Sequence, residues 1–196
     1  MKKIFLIITI FLITFNFQSL TKADDVRDFQ IEGMSIGDSL LDYYSKSNID
    51  KTKYTPWNDK KTYYQFWSKK NITEYDAVTF AFLSNDKKYK INEVTGRKHM
   101  DYQKCKKKIV TISLEVSSMF NSATKDDRGE YSHRTDKSKK SLVRTVNYKL
   151  NDGSLIHIAC YDWSNKLENE KGYKDGLIIA IASKEFVKWQ ETKAYK

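Results

Sequence analysis

The sequence predicts an α+β fold: a mostly antiparallel sheet of about six to seven strands with one long and two short helices packed on it. Three observations carry that expectation. Tyr102, Cys105, Ile109, Ile112, Val116 and Met119 recur at intervals of three and four, one stripe of a long helix. Two alternating runs, 142–150 and 154–163, flank Asn151-Asp152-Gly153, which suits a three-residue hairpin turn with Gly153 left-handed. Residues 177–182 are apolar throughout, as a strand buried on both faces must be.

The chain opens on MKKIFLIITIFLITFNFQSLTKA. Lys2 and Lys3 precede an apolar run broken only by Thr9, Thr14 and Asn16, and Thr21-Lys22-Ala23 follows. That order predicts a signal peptide over 1–23, cut after Ala23, with 24–196 as a single mature domain. Retained, the run would act as an anchor, although it is shorter than the roughly 20 residues a membrane span needs. No transmembrane segment is expected after cleavage.

Phe29, Ile31 and Gly33 alternate with polar residues and read as a short strand. Asp38 is placed to cap a following short helix whose Leu40, Leu41 and Tyr44 turn inward. The polar segment SKSNIDKTKYTPWNDKK holds the single proline, Pro56, and reads as loop. A strand is expected over Tyr63–Ser68. Val78, Phe80 and Phe82 alternate, Ser84 to Lys87 turn, and Tyr89 and Ile91 return as the second strand of a hairpin. After the long helix, 121–141 shows no apolar period and reads as a long charged loop.

The next hairpin has a register that its turn decides. A three-residue turn places Val146 and Tyr148 on one face with Ile156, Ile158 and Cys160; a two-residue turn would put Asn147 and Lys149 there instead. NKLENEKGYKDG reads as loop, and Ser183 is placed to cap a short last helix with Phe186 and Val187 inward. The helices are expected on one face of the sheet.

Cys105 and Cys160 are the two cysteines. One falls on the apolar stripe of the long helix and the other on the apolar face of a strand, and in an oxidising compartment they are expected to pair. They are too few for a zinc site, since His99, His133 and His157 are scattered. No metal and no cofactor are expected.

The formal charge is +10. An exported chain of that balance is drawn to an anionic envelope component or an acidic protein partner. Nucleic acid is the usual partner of a basic chain, but export argues against it. Two stretches could make such contacts. Trp57 and Trp67 are interleaved with lysines in YTPWNDKKTYYQFWSKK, a pattern able to stack rings beside cations. Arg128, His133, Arg134 and Lys137 gather positive charge in the 121–141 segment.

Gly37-Asp38-Ser39-Leu40 is similar to the tetrapeptide that names the GDSL esterases and lipases. That resemblance implies a serine hydrolase with Ser39 as nucleophile and His133 or His157 as base. It covers four residues. The family's oxyanion-hole Gly and Asn and its C-terminal Asp-x-x-His have no counterpart here, and a serine hydroxyl without a base and oxyanion donors is a poor nucleophile. Ser39 is therefore expected simply at a helix start. The stretch IEGMSIGDSLLDYYSK, with FAFLSNDKKYKI, also resembles the opening of small exported bacterial proteins without assigned activity. That resemblance implies an envelope location and an αβ fold. The reading is a periplasmic or secreted binding or adaptor protein without chemistry of its own. The alternatives are a small exported serine esterase using Ser39 and a module recognising glycan or anionic lipid.

Overall fold

The computed structural model describes residues 25–196; the expected signal peptide lies outside the described residues. In chain order the elements are α1 Lys46–Thr52, β1 Tyr63–Ser68, β2 Ala77–Leu83, β3 Glu93–His99, α2 Tyr102–Met119, β4 Thr124–Ser132, β5 Leu142–Lys149, β6 Leu155–Asp162, α3 Asn165–Lys171, β7 Gly176–Ala182 and α4 Lys184–Thr192. The strands form one seven-stranded sheet in the order β1-β2-β3-β7-β6-β5-β4. Every neighbouring pair is antiparallel. The α+β class is as the sequence predicts. Among the described residues the α-helices are one long and three short, where one long and two short are expected.

Two three-stranded meanders flank β7, which closes the sheet by pairing with β3 on one side and β6 on the other. A strand in that place has no free backbone edge; Leu177, Ile179 and Ile181 are buried on the α2 face, while Ile178 and Ala180 on the other face are half-buried, so the expected burial on both faces is met only in part. One row of side chains, Phe66, Phe80, Val94, Ile181, Ile156 and Tyr148, crosses six strands in register. All six are buried. Helix α2 packs on this row with Tyr102, Cys105, Ile109 and Val116 inward. Each large apolar side chain buried so contributes about 1.5–3 kcal/mol of transfer free energy. The Tyr148 hydroxyl donates to the Ser113 carbonyl at 2.6 Å, so the helix is also keyed by a polar contact. Cys105 and Cys160 form a disulfide across the same interface.

The β5–β6 turn has three residues. Leu150 N–H donates to the Ser154 carbonyl at 2.9 Å, and Gly153 has φ 94°. Val146 and Tyr148 therefore pair with Ile158 and Ile156 on the core face.

Several segments differ from the expectation. The 29–33 strand is a tight turn, in which Ile31 and Met34 bridge around Glu32 and Gly33, both at positive φ. Ser39, not Asp38, caps the next segment, which is a single 3-10 turn over Leu40–Asp42. The Asp38 carboxylate instead accepts from Ser35 N–H at 2.9 Å and the Tyr43 hydroxyl at 3.0 Å. Leu40 and Tyr44 are buried, whereas Leu41 is exposed. Helix α1 occupies part of the expected loop. It is capped by Ser45, anchored by buried Ile49 and supported by a Lys46–Asp50 pair, and one apolar residue in seven leaves no period to detect.

Tyr89 and Ile91 are buried but do not pair with β2. They bond the early segment: Gly37 N–H donates to Ile91 carbonyl and Leu40 N–H to Tyr89 carbonyl. The partner of β2 is β3, starting at Glu93. Nine residues of the expected 121–141 loop are edge strand β4, held by main-chain bonds to β5 and with no buried residue. A strand that buries neither face carries no alternation. Part of the expected 165–176 loop is α3, with Leu167 as its one buried residue. Met119, placed on the inner stripe of α2, is exposed. The helices also do not share one face. Phe186, Val187 and Trp189 of α4 pack with Trp57, Tyr63, Ala81 and Ala182 on the side of the sheet opposite α2.

Candidate functional site

On the face opposite α2, α4 covers one end. Beyond it the register sets out small and polar side chains: Thr79, Thr95, Ala180, His157 and Asn147 lie in one row, and Arg97, Ile178, Ala159 and Thr145 in the next. Two titratable groups on this face, Glu93 and His157, are perturbed by the packing. Glu93 accepts from the Thr95 hydroxyl at 2.8 Å through Oε1, while its Oε2 is closed off from solvent without a partner. Burial pushes its carboxyl up to about 7, partly opposed by the Thr95 bond and the Arg97 charge. His157 Nδ1 lies 2.7 Å from Asn147 Oδ1 across β5 and β6. Burial, with the Arg128 charge, lowers its imidazole to about 4, so it is neutral at pH 7.

At the end of this face away from α4 is a cleft of about 280 Å³ lined in part by Arg97, Lys98, Tyr161, Trp163, Tyr173 and Lys174. Tyr161 and Trp163 sit two residues apart at the end of β6, so their rings leave the chain on one side. The rings stack with centroids 5.2 Å apart and planes 10° from parallel. Tyr173 leans on Trp163 at 4.5 Å, and His133 meets it edge-on at 4.7 Å. Asp175 fixes the corner by accepting from Trp163 N–H at 2.6 Å. The wall closes because β7 begins with Gly176, where a Cβ would stand 2.2 Å from the Lys98 carbonyl. Burial raises the Tyr161 hydroxyl and lowers the His133 imidazole. The result is a set of ring faces beside Arg97 and Lys174, an arrangement that can stack a flat or sugar ring and pair its negative charge; Lys98 contributes backbone to the wall, and its ammonium pairs with Asp76 at 3.5 Å.

The expected contact residues fall in different places. Trp57 is 4% exposed and packs edge-on against Phe186 and Trp189, so it belongs to the α4 cluster and offers no free face. Trp67 is 47% exposed, with Lys69 Nζ 5.8 Å from its ring. Arg128 stands at the bulge of β4 and donates from Nε to Asp126 at 2.9 Å. His133 turns onto Trp163, while Arg134 and Lys137 are exposed in a turn organised by Asp136. The buried Asp136 carboxylate accepts from the N–H and hydroxyl of both Ser138 and Ser141, which holds it well below the ordinary carboxylate range.

Ser39 Oγ donates to the Lys88 carbonyl at 2.7 Å and accepts from Leu41 N–H at 3.2 Å. His133 Nδ1 accepts from Thr135 N–H and His157 engages Asn147, so neither histidine bonds Ser39. Sequence reasoning missed Arg97, Tyr161, Trp163 and Tyr173 as a site. The signal for half of it was the Tyr161-x-Trp163 alternation at the end of a strand. Among the described residues, no group of three or more His, Cys, Asp or Glu is able to hold a metal ion, and no helix is long and apolar enough to cross a membrane.

Fold and site together define a disulfide-tied α+β protein with a cation-rimmed aromatic cleft. Compared with family models, curated proteins and solved structures, the chain matches none.

Proposed function

We propose that the protein is an exported, periplasmic or secreted, binding or adaptor protein of the cell envelope, without chemistry of its own. Its aromatic cleft takes a ring that bears negative charge, an acidic sugar of an envelope polymer being the class that fits. One observation carries the reading: the parallel Tyr161–Trp163 stack opens beside Arg97 and Lys174. Ring stacking on such a platform is worth about 1–3 kcal/mol for a planar base and gives little discrimination by itself. The cations at the rim add selection for an anion and make binding salt-sensitive. The signal-like opening, the paired cysteines and the basic charge support export to an anionic surface. A hydroxyl at Ser39 that is bonded to the backbone supports a role without hydrolysis.

The test is calorimetric titration of the protein with an oligosaccharide of glucuronic acid and with a neutral glucose oligomer of equal length. The acidic oligomer is expected to bind, to weaken with salt, and to lose about ten-fold in affinity on Arg97→Ala and more on Trp163→Ala. Equal binding of both oligomers, or binding indifferent to Trp163→Ala, overturns the reading.

A further inference from the structure

A second cleft, of about 340 Å³, lies between α1 and the end of β1. Its floor is apolar. Tyr44 and Phe66 meet edge to face with centroids 5.0 Å apart, and both are buried members of the main core. Trp67 forms an exposed wall. Lys51, Lys69 and Lys70 stand around it, and no carboxylate lines it. None of these three lysines has an ion-pair partner among the described residues. The nearest helical acid, Asp50, is already taken by Lys46 and Lys53, each at 2.7 Å, and by the Tyr89 hydroxyl.

Three ammonium groups without a counter-charge and the exposed Trp67 indole are two unfavourable features in one place. One kind of ligand relieves both. A neutral apolar molecule would cover the Trp67 ring and leave the lysines unpaired; an inorganic anion would pair the lysines and leave that ring wet. The volume is at the small end of ligand pockets, which run from about 300 to 1,000 Å³. We propose that this cleft binds a small amphipathic anion, an apolar ring or short alkyl chain carrying a carboxylate, sulfonate or phosphate. Lys69, lying over the Trp67 ring at 5.8 Å in the free protein, swings to the head group while the ring packs on the apolar body. The site shares no lining residue with the aromatic cleft, so it stands or falls independently of the function proposed above.

The experiment is calorimetric titration of the folded protein with monomeric decanoate, decanol and inorganic phosphate, repeated on three variants. These are the triple variant Lys51→Gln, Lys69→Gln, Lys70→Gln, the variant Trp67→Ala, and Trp163→Ala as a control in the other cleft. All the altered lysines are exposed, and unchanged circular dichroism and melting temperature certify the fold of each variant. Decanoate is expected to bind about ten-fold more tightly than decanol. The triple-lysine and Trp67 variants should each lose about ten-fold for decanoate, and Trp163→Ala should lose nothing. Trp67 emission should change on binding, and the change should vanish in Trp67→Phe. Equal affinity for decanoate and decanol, full competition by inorganic phosphate, or indifference to the lysine and Trp67 variants overturns the proposal.

Discussion

Cys105 of α2 and Cys160 of β6 are joined with their Cα atoms 5.7 Å apart, each side chain fully buried in the contact between the long helix and the sheet. The bond closes a loop across a separation of 55 residues. In the loop-entropy account, a closure of that length removes about 4 kcal/mol of unfolded-chain freedom. The double variant Cys105→Ser, Cys160→Ser is expected to lose about that much, read as a lowered urea midpoint. Thiol reagents should find no free sulfur in the folded oxidised protein. A loss below about 1 kcal/mol would mean that α2 is held by packing alone.

Glu93 and His157 drive the pH dependence of stability in opposite directions. With its carboxyl raised to about 7 from 4.5, folded Glu93 keeps a proton that the unfolded chain has released. Its contribution is therefore present at low pH and is lost as pH rises through that window, by up to about 3 kcal/mol. With its imidazole lowered to about 4 from 6.5, folded His157 refuses a proton that the unfolded chain takes up. Its contribution is present above 6.5 and is lost as pH falls towards 4, by a similar amount. Between pH 4.5 and 6.5 the two slopes cancel. Urea midpoints of the wild type should be nearly flat there. Glu93→Gln should lose stability as pH falls, and His157→Gln should gain it. Parallel curves for Glu93→Gln and wild type would show that the Glu93 carboxyl titrates as an ordinary one.

The Ser39 hydroxyl is committed to the Lys88 carbonyl and Leu41 N–H. A fluorophosphonate probe should leave the protein unlabelled, and Ser39→Ala should cost about 1 kcal/mol, the usual worth of a lost cap. Stoichiometric labelling that disappears in Ser39→Ala would restore the esterase reading.

What could be read in advance follows one rule. Helix α2 was legible because it spans five turns with a buried stripe, and the β5–β6 hairpin because Gly153 fixes a register that the apolar pattern independently demands. Helices α1 and α3 were not, since Ile49 and Leu167 are the single buried residues of each. Strand β4 was hidden for the same reason: its bonds are to the main chain of β5, which composition does not encode. Half of the aromatic cleft was visible in Tyr161 and Trp163. The rest was not, because Arg97 arrives from β3 and Tyr173 from beyond α3, far apart in the chain.

By itself the amino-acid order determined the α+β class, the long helix, the hairpin register and the expectation that the two cysteines meet. Tertiary structure alone decided that β7 joins the two meanders, that α4 takes the face opposite α2, and that Trp57 is buried while Trp67 is open. Periodicity records which side of an element is dry. It does not record which distant element keeps it dry, because that choice is made by the summed contacts of the whole sheet.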